Sequence, residues 1–220
     1  MNNMENIQEV EEMRQEVESA VTDEAIHSVS LDRLKALQSF KIHQKKKRSQ
    51  IDHYREKNTP PEILFYVGLT GPACGSAMED IAREIFQLNT RVDSSHDHML
   101  GKFKIEQKTA RYHANGAGWK WEHLEVKHDW DFLLLTGINY QSLDFYITTR
   151  QNVEELIKLG VITGQGKKDK STGVADPQQG YWFTKRDFNK AKLDFKQYFV
   201  QVGSSEDLLM YLQSLNSNHT

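Results

Sequence analysis

A chain of 220 residues, 38 % of them hydrophobic, can bury one full core but is short for two ordinary domains. No apolar run approaches the roughly 20 residues that a membrane span needs. A single cysteine, Cys74, excludes an internal disulfide and a cysteine-rich zinc cluster. The net charge of −3 excludes a uniformly basic nucleic-acid coat, but residues 1–24 hold eight acids against one base, a net of −7, leaving +4 on the remainder. The N-terminus, MNNMENIQEVEEM, lacks the apolar stretch of a secretory signal, so a cytoplasmic protein with no membrane segment is expected.

In chain order, Ile7, Val10, Met13, Val17 and Ala20 are spaced as one stripe of a helix over 5–20. A second helix is expected from Ser30 to about Lys57, with Leu31, Leu34, Leu37 and Phe40 on one side and a basic latter half. Thr59-Pro60-Pro61 ends it, because proline disfavours a helical residue before it. Residues 1–58 thus read as a helical arm and 59–220 as the main domain. Residues 63–67 are an apolar run of ambiguous type. Gly68 to Gly75 reads as a loop, after which Ser76 caps a helix running to about Leu88. Strands are expected at 102–110, 131–138 and 142–149, a helix at 151–159, a loop at 163–180, late strands near Tyr181 and Phe199, and a final helix from Ser204. The fold class is α/β: a mixed sheet flanked by helices.

The chemistry concentrates in Asp97-His-Met-Leu-Gly-Lys-Phe-Lys-Ile-Glu106-Gln-Lys108. Alternate side chains of a strand share a face, so Glu106 and Lys108 project together. Gly101 allows the chain to turn back, which brings Asp97 beside Glu106. Two carboxylates suit Mg²⁺, a hard cation that keeps several waters. A lysine beside them can orient the attacking hydroxide and offset the charge that develops on a phosphate.

Asp97-x8-Glu106-x-Lys108 resembles the D…(D/E)xK motif of the PD-(D/E)xK nuclease superfamily, although His96 stands where the family's proline would be. The resemblance covers roughly residues 75–150. It implies a restriction-endonuclease-like core and a Mg²⁺-dependent DNA endonuclease, with Mn²⁺ as a substitute ion. Asp97 and Glu106 would hold the metal, Lys108 would complete the catalytic set, and hydrolysis would leave 5′-phosphate and 3′-hydroxyl ends. A glutamate on the preceding helix joins the site in many members; Glu79 matches that position and Glu84 is second choice. A type II restriction enzyme acting on double-stranded DNA as a homodimer is the leading expectation. A resolvase-like repair nuclease and a non-catalytic DNA-binding or scaffold protein are the alternatives.

Other residues compete with this reading. Asp93 rivals Asp97 as the metal aspartate, and Asp131 either starts a strand or faces the site. Histidines 96, 98, 113, 123 and 128 lack zinc-ligand spacing and read mostly as polar surface, with His123 as a packed histidine. Trp119, Trp121, Trp130 and Trp182 read as core. DNA contacts are expected from Lys167, Lys168, Lys170, Gln178 and Gln179, in a segment too polar to pack. If those lysines touch phosphates, replacing all three with alanine should weaken binding on every DNA sequence. The slope of log K against log salt, measured by fluorescence anisotropy, should then flatten by about 0.9 per lost contact.

Overall fold

The computed structural model describes residues 28–29, 48–113, 118–166 and 180–217. The striped helix over 5–20, most of the second helix, and Lys167, Lys168, Lys170, Gln178 and Gln179 lie outside the described residues. The protein is a mixed α/β structure with a mostly antiparallel sheet flanked by helices. No helix among the described residues is long and apolar enough to cross a membrane.

Among the described residues, three helices lie between the two-residue strand Ser28–Val29 and the rest of the sheet. Helix α1 (Arg48–Glu56) ends with Asn58 at a left-handed φ of 54° and Thr59 donating back to the Tyr54 carbonyl. Helix α2 (Pro61–Val67) starts on proline, whose missing N–H costs nothing in a first turn. The same rule corrects the loop expected at 68–75. Pro72 lies in the first turn of α3 (Gly71–Phe86), so the helix begins before Ser76, with Thr70 at its N-cap position. Glu79 therefore sits in the third turn of α3, not the first. Cys74, Ala77, Met78, Ile81, Ala82, Ile85 and Phe86 form the buried stripe of α3. Burying each large side chain of that stripe is worth about 1.5–3 kcal/mol.

The sheet runs in the order β1 (Ser28–Val29), β7 (Leu143–Thr149), β6 (Phe132–Ile138), β4 (Phe103–His113), β5 (Gly118–Leu124), β9 (Tyr181–Thr184), β8 (Thr163–Gly164). Short β3 (His98–Leu100) pairs with β4, β2 (Asn89–Thr90) with β3, and β10 (Val200–Val202) with β7. β4 and β6 are parallel neighbours, from Ile105 opposite Phe132 to Arg111 opposite Ile138. The chain between them passes through β5 rather than a crossover helix. β5 escapes a periodicity reading because a bulge between Trp121 and Leu124 interrupts its alternation. The remaining helices are α4 (Arg150–Lys158), α5 (Lys185–Ala191), α6 (Phe195–Tyr198) and α7 (Ser205–Ser217).

Each sheet face covers its own core. Ile105, Leu134, Ile138, Phe145 and Ile147 pack with α3, with α7, and with Ile51 and Tyr54 of α1. The described end of the 1–58 arm is thus part of the main core. On the other face Ala110, Leu133, Leu135 and Tyr146 meet Trp119, Trp121, Trp130 and the phenylalanines of α5 and α6. Tyr54 closes the top of the β4–β6 ladder. Its hydroxyl donates to the Ile138 carbonyl at 2.8 Å and accepts the Tyr112 N–H at 2.6 Å. Tyr54→Phe strands the Tyr112 N–H, while the Ile138 carbonyl keeps the Trp119 indole donor at 3.2 Å; one such unsatisfied group costs about 1–3 kcal/mol. Urea denaturation should show a loss in that range or above it, with β4 the strand whose amides lose protection.

Candidate active site

The turn after β3 has two residues, with Gly101 at a left-handed φ of 59° in the first position. It sets a register in which His98 faces Ile105, Met99 faces Lys104 and Leu100 faces Phe103. Continued by one residue, that register brings Asp97 opposite Glu106. The Asp97 N–H donates to the Ile105 carbonyl at 3.0 Å, and its Oδ2 accepts the Gln107 N–H at 2.8 Å. Beyond this point β4 has no strand partner on that edge, among the described residues, until Tyr112 pairs with Trp119. The sheet forks here, and the candidate residues occupy the fork.

Glu106 and Lys108 pair in the parallel ladder with Leu133 and Leu135, on the face of the second core. Glu106 is only 4 % exposed, and Lys108 Nζ donates to its Oε1 at 2.5 Å. Burial pushes the Glu106 carboxyl above the usual carboxylate range. Lys108 opposes that shift, Asp97 adds to it, and His128 lowers it slightly. Burial also raises the Glu79 carboxyl, and Asp97 adds to the shift against Arg83, Arg91 and Lys108. Asp97, in the residue before β3, thus acts on both glutamates, Glu79 on α3 and Glu106 on β4. Arg91 Nη1 lies 4.0 Å from Asp97 Oδ1 on a side chain 56 % exposed. Arg83, Arg91 and His128 are the charges acting on these carboxylates that motif spacing does not reveal.

The rivals fall elsewhere. Asp93 is exposed and its carboxylate accepts from the N–H and hydroxyl of Ser95, so it closes its own turn. Asp131 accepts the Lys104 N–H at 2.9 Å and ends the β4–β6 ladder, while Asp129 pairs with the Lys104 ammonium. Glu84 is exposed. The histidine expectations need correction. His96 and His98 are buried, His98 because it pairs with Ile105 on the sheet face whose core includes α3, whereas His123 is exposed at a φ of 57° in the β5 bulge. Cys74 is buried, with its thiol held protonated by desolvation. Trp119, Trp121 and Trp130 are core as expected; Trp182 is half-buried, with Lys120 Nζ 4.6 Å above its ring.

The donor set fits Mg²⁺ in chemistry. Asp97 and Glu106 offer hard oxygens, and Mg²⁺ is commonly held by one or two carboxylates with waters and substrate phosphates completing its shell. No group of three or more His, Cys, Asp or Glu side chains among the described residues is gathered closely enough to hold an ion. The fit is therefore to an open two-carboxylate site, not to a closed cage.

The raised carboxyls have a consequence for stability. A glutamate whose folded pKa exceeds its unfolded pKa destabilises the fold once pH rises through that interval, and has no such effect where both states are protonated. Without divalent ions, Glu79→Gln should therefore raise the melting temperature at pH 7.5, and the gain should vanish toward about pH 3. Calorimetric melting across this range checks it. Comparison with protein-family models, with curated proteins and with solved structures finds no match for this chain, so the site is read from its own residues.

Proposed function

We propose that this protein is a Mg²⁺-dependent DNA endonuclease of the PD-(D/E)xK type, with Asp97, Glu106 and Lys108 as its centre and Glu79 as an accessory carboxylate. The observation that carries the reading is the convergence of Asp97 and the Glu106–Lys108 pair at the fork of β4, with Glu79 in the same field. The αβ order around it, α3 then β3, β4, β6 and β7, is compatible with a restriction-endonuclease-like core. Asp97 and Glu106 would hold the cation, which when bound polarises a phosphate oxygen and acidifies a water ligand. Lys108 keeps its ammonium on the rim of the fork, where it can turn from Glu106 toward the phosphate and offset its developing charge. Arg91, exposed beside Asp97, is suited to a neighbouring phosphate. The substrate in this reading is double-stranded DNA cut at a specific sequence by a symmetric homodimer, the simplest assembly that brings one site to each strand.

A second reading, a DNA-binding protein without catalysis, has one observation in its favour: the Lys108–Glu106 ion pair neutralises the buried carboxylate without any metal. Incubation of plasmid DNA with Mg²⁺ or Mn²⁺, followed by sequencing of the ends, separates the two. Asp97→Ala, Glu106→Ala and Lys108→Ala should each lower the cleavage rate by about 10²–10³ or more, with unchanged circular dichroism. Asp93→Ala should remain active. Cleavage by Glu106→Ala at the wild-type rate would exclude this centre, and DNA binding without cleavage under any divalent ion would favour the second reading.

A further inference from the structure

A chain of polar side chains runs through the core directly behind the fork. His98, Gln107 and Thr136 are 0 %, 5 % and 0 % exposed. His98 Nε2 lies 2.6 Å from Gln107 Oε1, and Gln107 Nε2 donates to Thr136 Oγ1 at 2.8 Å. An amide oxygen only accepts, so the ring carries its proton on Nε2 and donates it to Gln107. His98 Nδ1 is left buried with no hydrogen-bond partner. The chain links β3, β4 and β6 on the face packed against α3, among Ile105, Leu134 and Ile138.

In terms of stability alone the arrangement is poor. Neutral hydrogen bonds contribute only about 1 kcal/mol net, and an orphaned ring nitrogen costs about as much or more. What the chain supplies is register. β3 is held to β4 by only three residue pairs. A slip of one residue would turn Asp97 to the other face of the sheet. A slip of two would keep the face but carry Asp97 away from Glu106. Either slip would leave His98 and Gln107 buried without each other, a penalty that apolar side chains would not impose. His98 follows Asp97 and Gln107 follows Glu106, so the lock lies immediately behind the two carboxylates. Gln107 joins both sides: its side chain binds His98 while its backbone N–H binds Asp97 Oδ2.

We propose that His98 is a positioning residue: by donating to Gln107 it holds the β3–β4 register that sets Asp97 against Glu106, and thereby sets the affinity of the fork for a divalent cation. The affinity part rests on the nuclease reading; the register part does not. Two measurements keep them apart. Hydrogen exchange of the Gln107 amide, followed by NMR, reports Asp97 with no metal present, and calorimetric titration with Mn²⁺ reports the fork as a cation site. In His98→Leu the Gln107 amide should exchange about 10-fold faster or more, and the Mn²⁺ dissociation constant should rise about 10-fold, the lower end of what removing a direct partner of a metal ligand costs, because His98 acts through Gln107. His98→Gln retains a donor within reach of Gln107 and should restore both. Thr136→Val, nearly isosteric, cuts the far end of the chain and should move both values in the same direction. Wild-type exchange at Gln107 in His98→Leu overturns the proposal, as does His98→Gln behaving like His98→Leu. If His98→Leu does not fold, unchanged Gln107 exchange in Thr136→Val overturns it instead. A wild-type protein that binds no Mn²⁺ defeats the nuclease reading and leaves Gln107 exchange to decide the role of His98.

Discussion

One oxygen of the Asp97 carboxylate accepts the Gln107 N–H, a position that a neighbouring strand's carbonyl would otherwise fill. A backbone donor this deep in a structure needs a partner, and the side chain provides one where β3 leaves the sheet. That substitution allows the β3–β4 ladder to end without stranding β4, and it fixes the carboxylate against the strand that carries Glu106. The fork in the sheet and the placing of Asp97 between Glu79 and the Glu106–Lys108 pair, whose lysine is partly buried, both depend on it.

The fork is electrostatically unfavourable by itself. Burial raises the proton affinity of both Glu79 and Glu106, and Asp97 raises it further. Burial and a neighbouring like charge act in the same direction here, so each glutamate holds its proton more tightly than a solvated one. The surrounding fold offsets the cost. Two separate hydrophobic cores clamp the sheet from both faces, and Tyr54 and Arg111 pin the far end of β4. Tyr54 does so between β4 and β6, and Arg111 through the Leu69 carbonyl at 2.7 Å.

The parallel pairing of β4 with β6 adds a second consequence. In parallel register Glu106 and Lys108 adjoin Leu133 and Leu135, while Gln107 adjoins Leu134 on the opposite face. The motif is thus divided by the sheet: charge toward one core, and an uncharged polar lock toward the other. A strand with an apolar residue between glutamate and lysine would present the same charges without the lock.

Local sequence determined the alternation that puts Glu106 and Lys108 on one face, the turn at Gly101, and the strands and helices with strong periodicity: β4, β6, β7, α4, β9 and α7. Those features depend on neighbours within a few residues, where propensity and period act directly. The start of α3 was hidden by Gly71 and Pro72, which suggest a loop yet are tolerated in a helical first turn, and by Gly75 just beyond it. Tertiary structure alone decided the rest. Sequence favours Asp97 over Asp93 only by its nearness to the turn, whereas in the fold Asp93 closes its own turn and the β3–β4 register sets Asp97 opposite Glu106. Burial of His98 depends on the packing of the face that α3 covers, and the placing of Arg83, Arg91 and His128 near the carboxylates depends on contacts between distant segments. Such contacts are set by how faces pack, and residue order specifies them only through the whole fold.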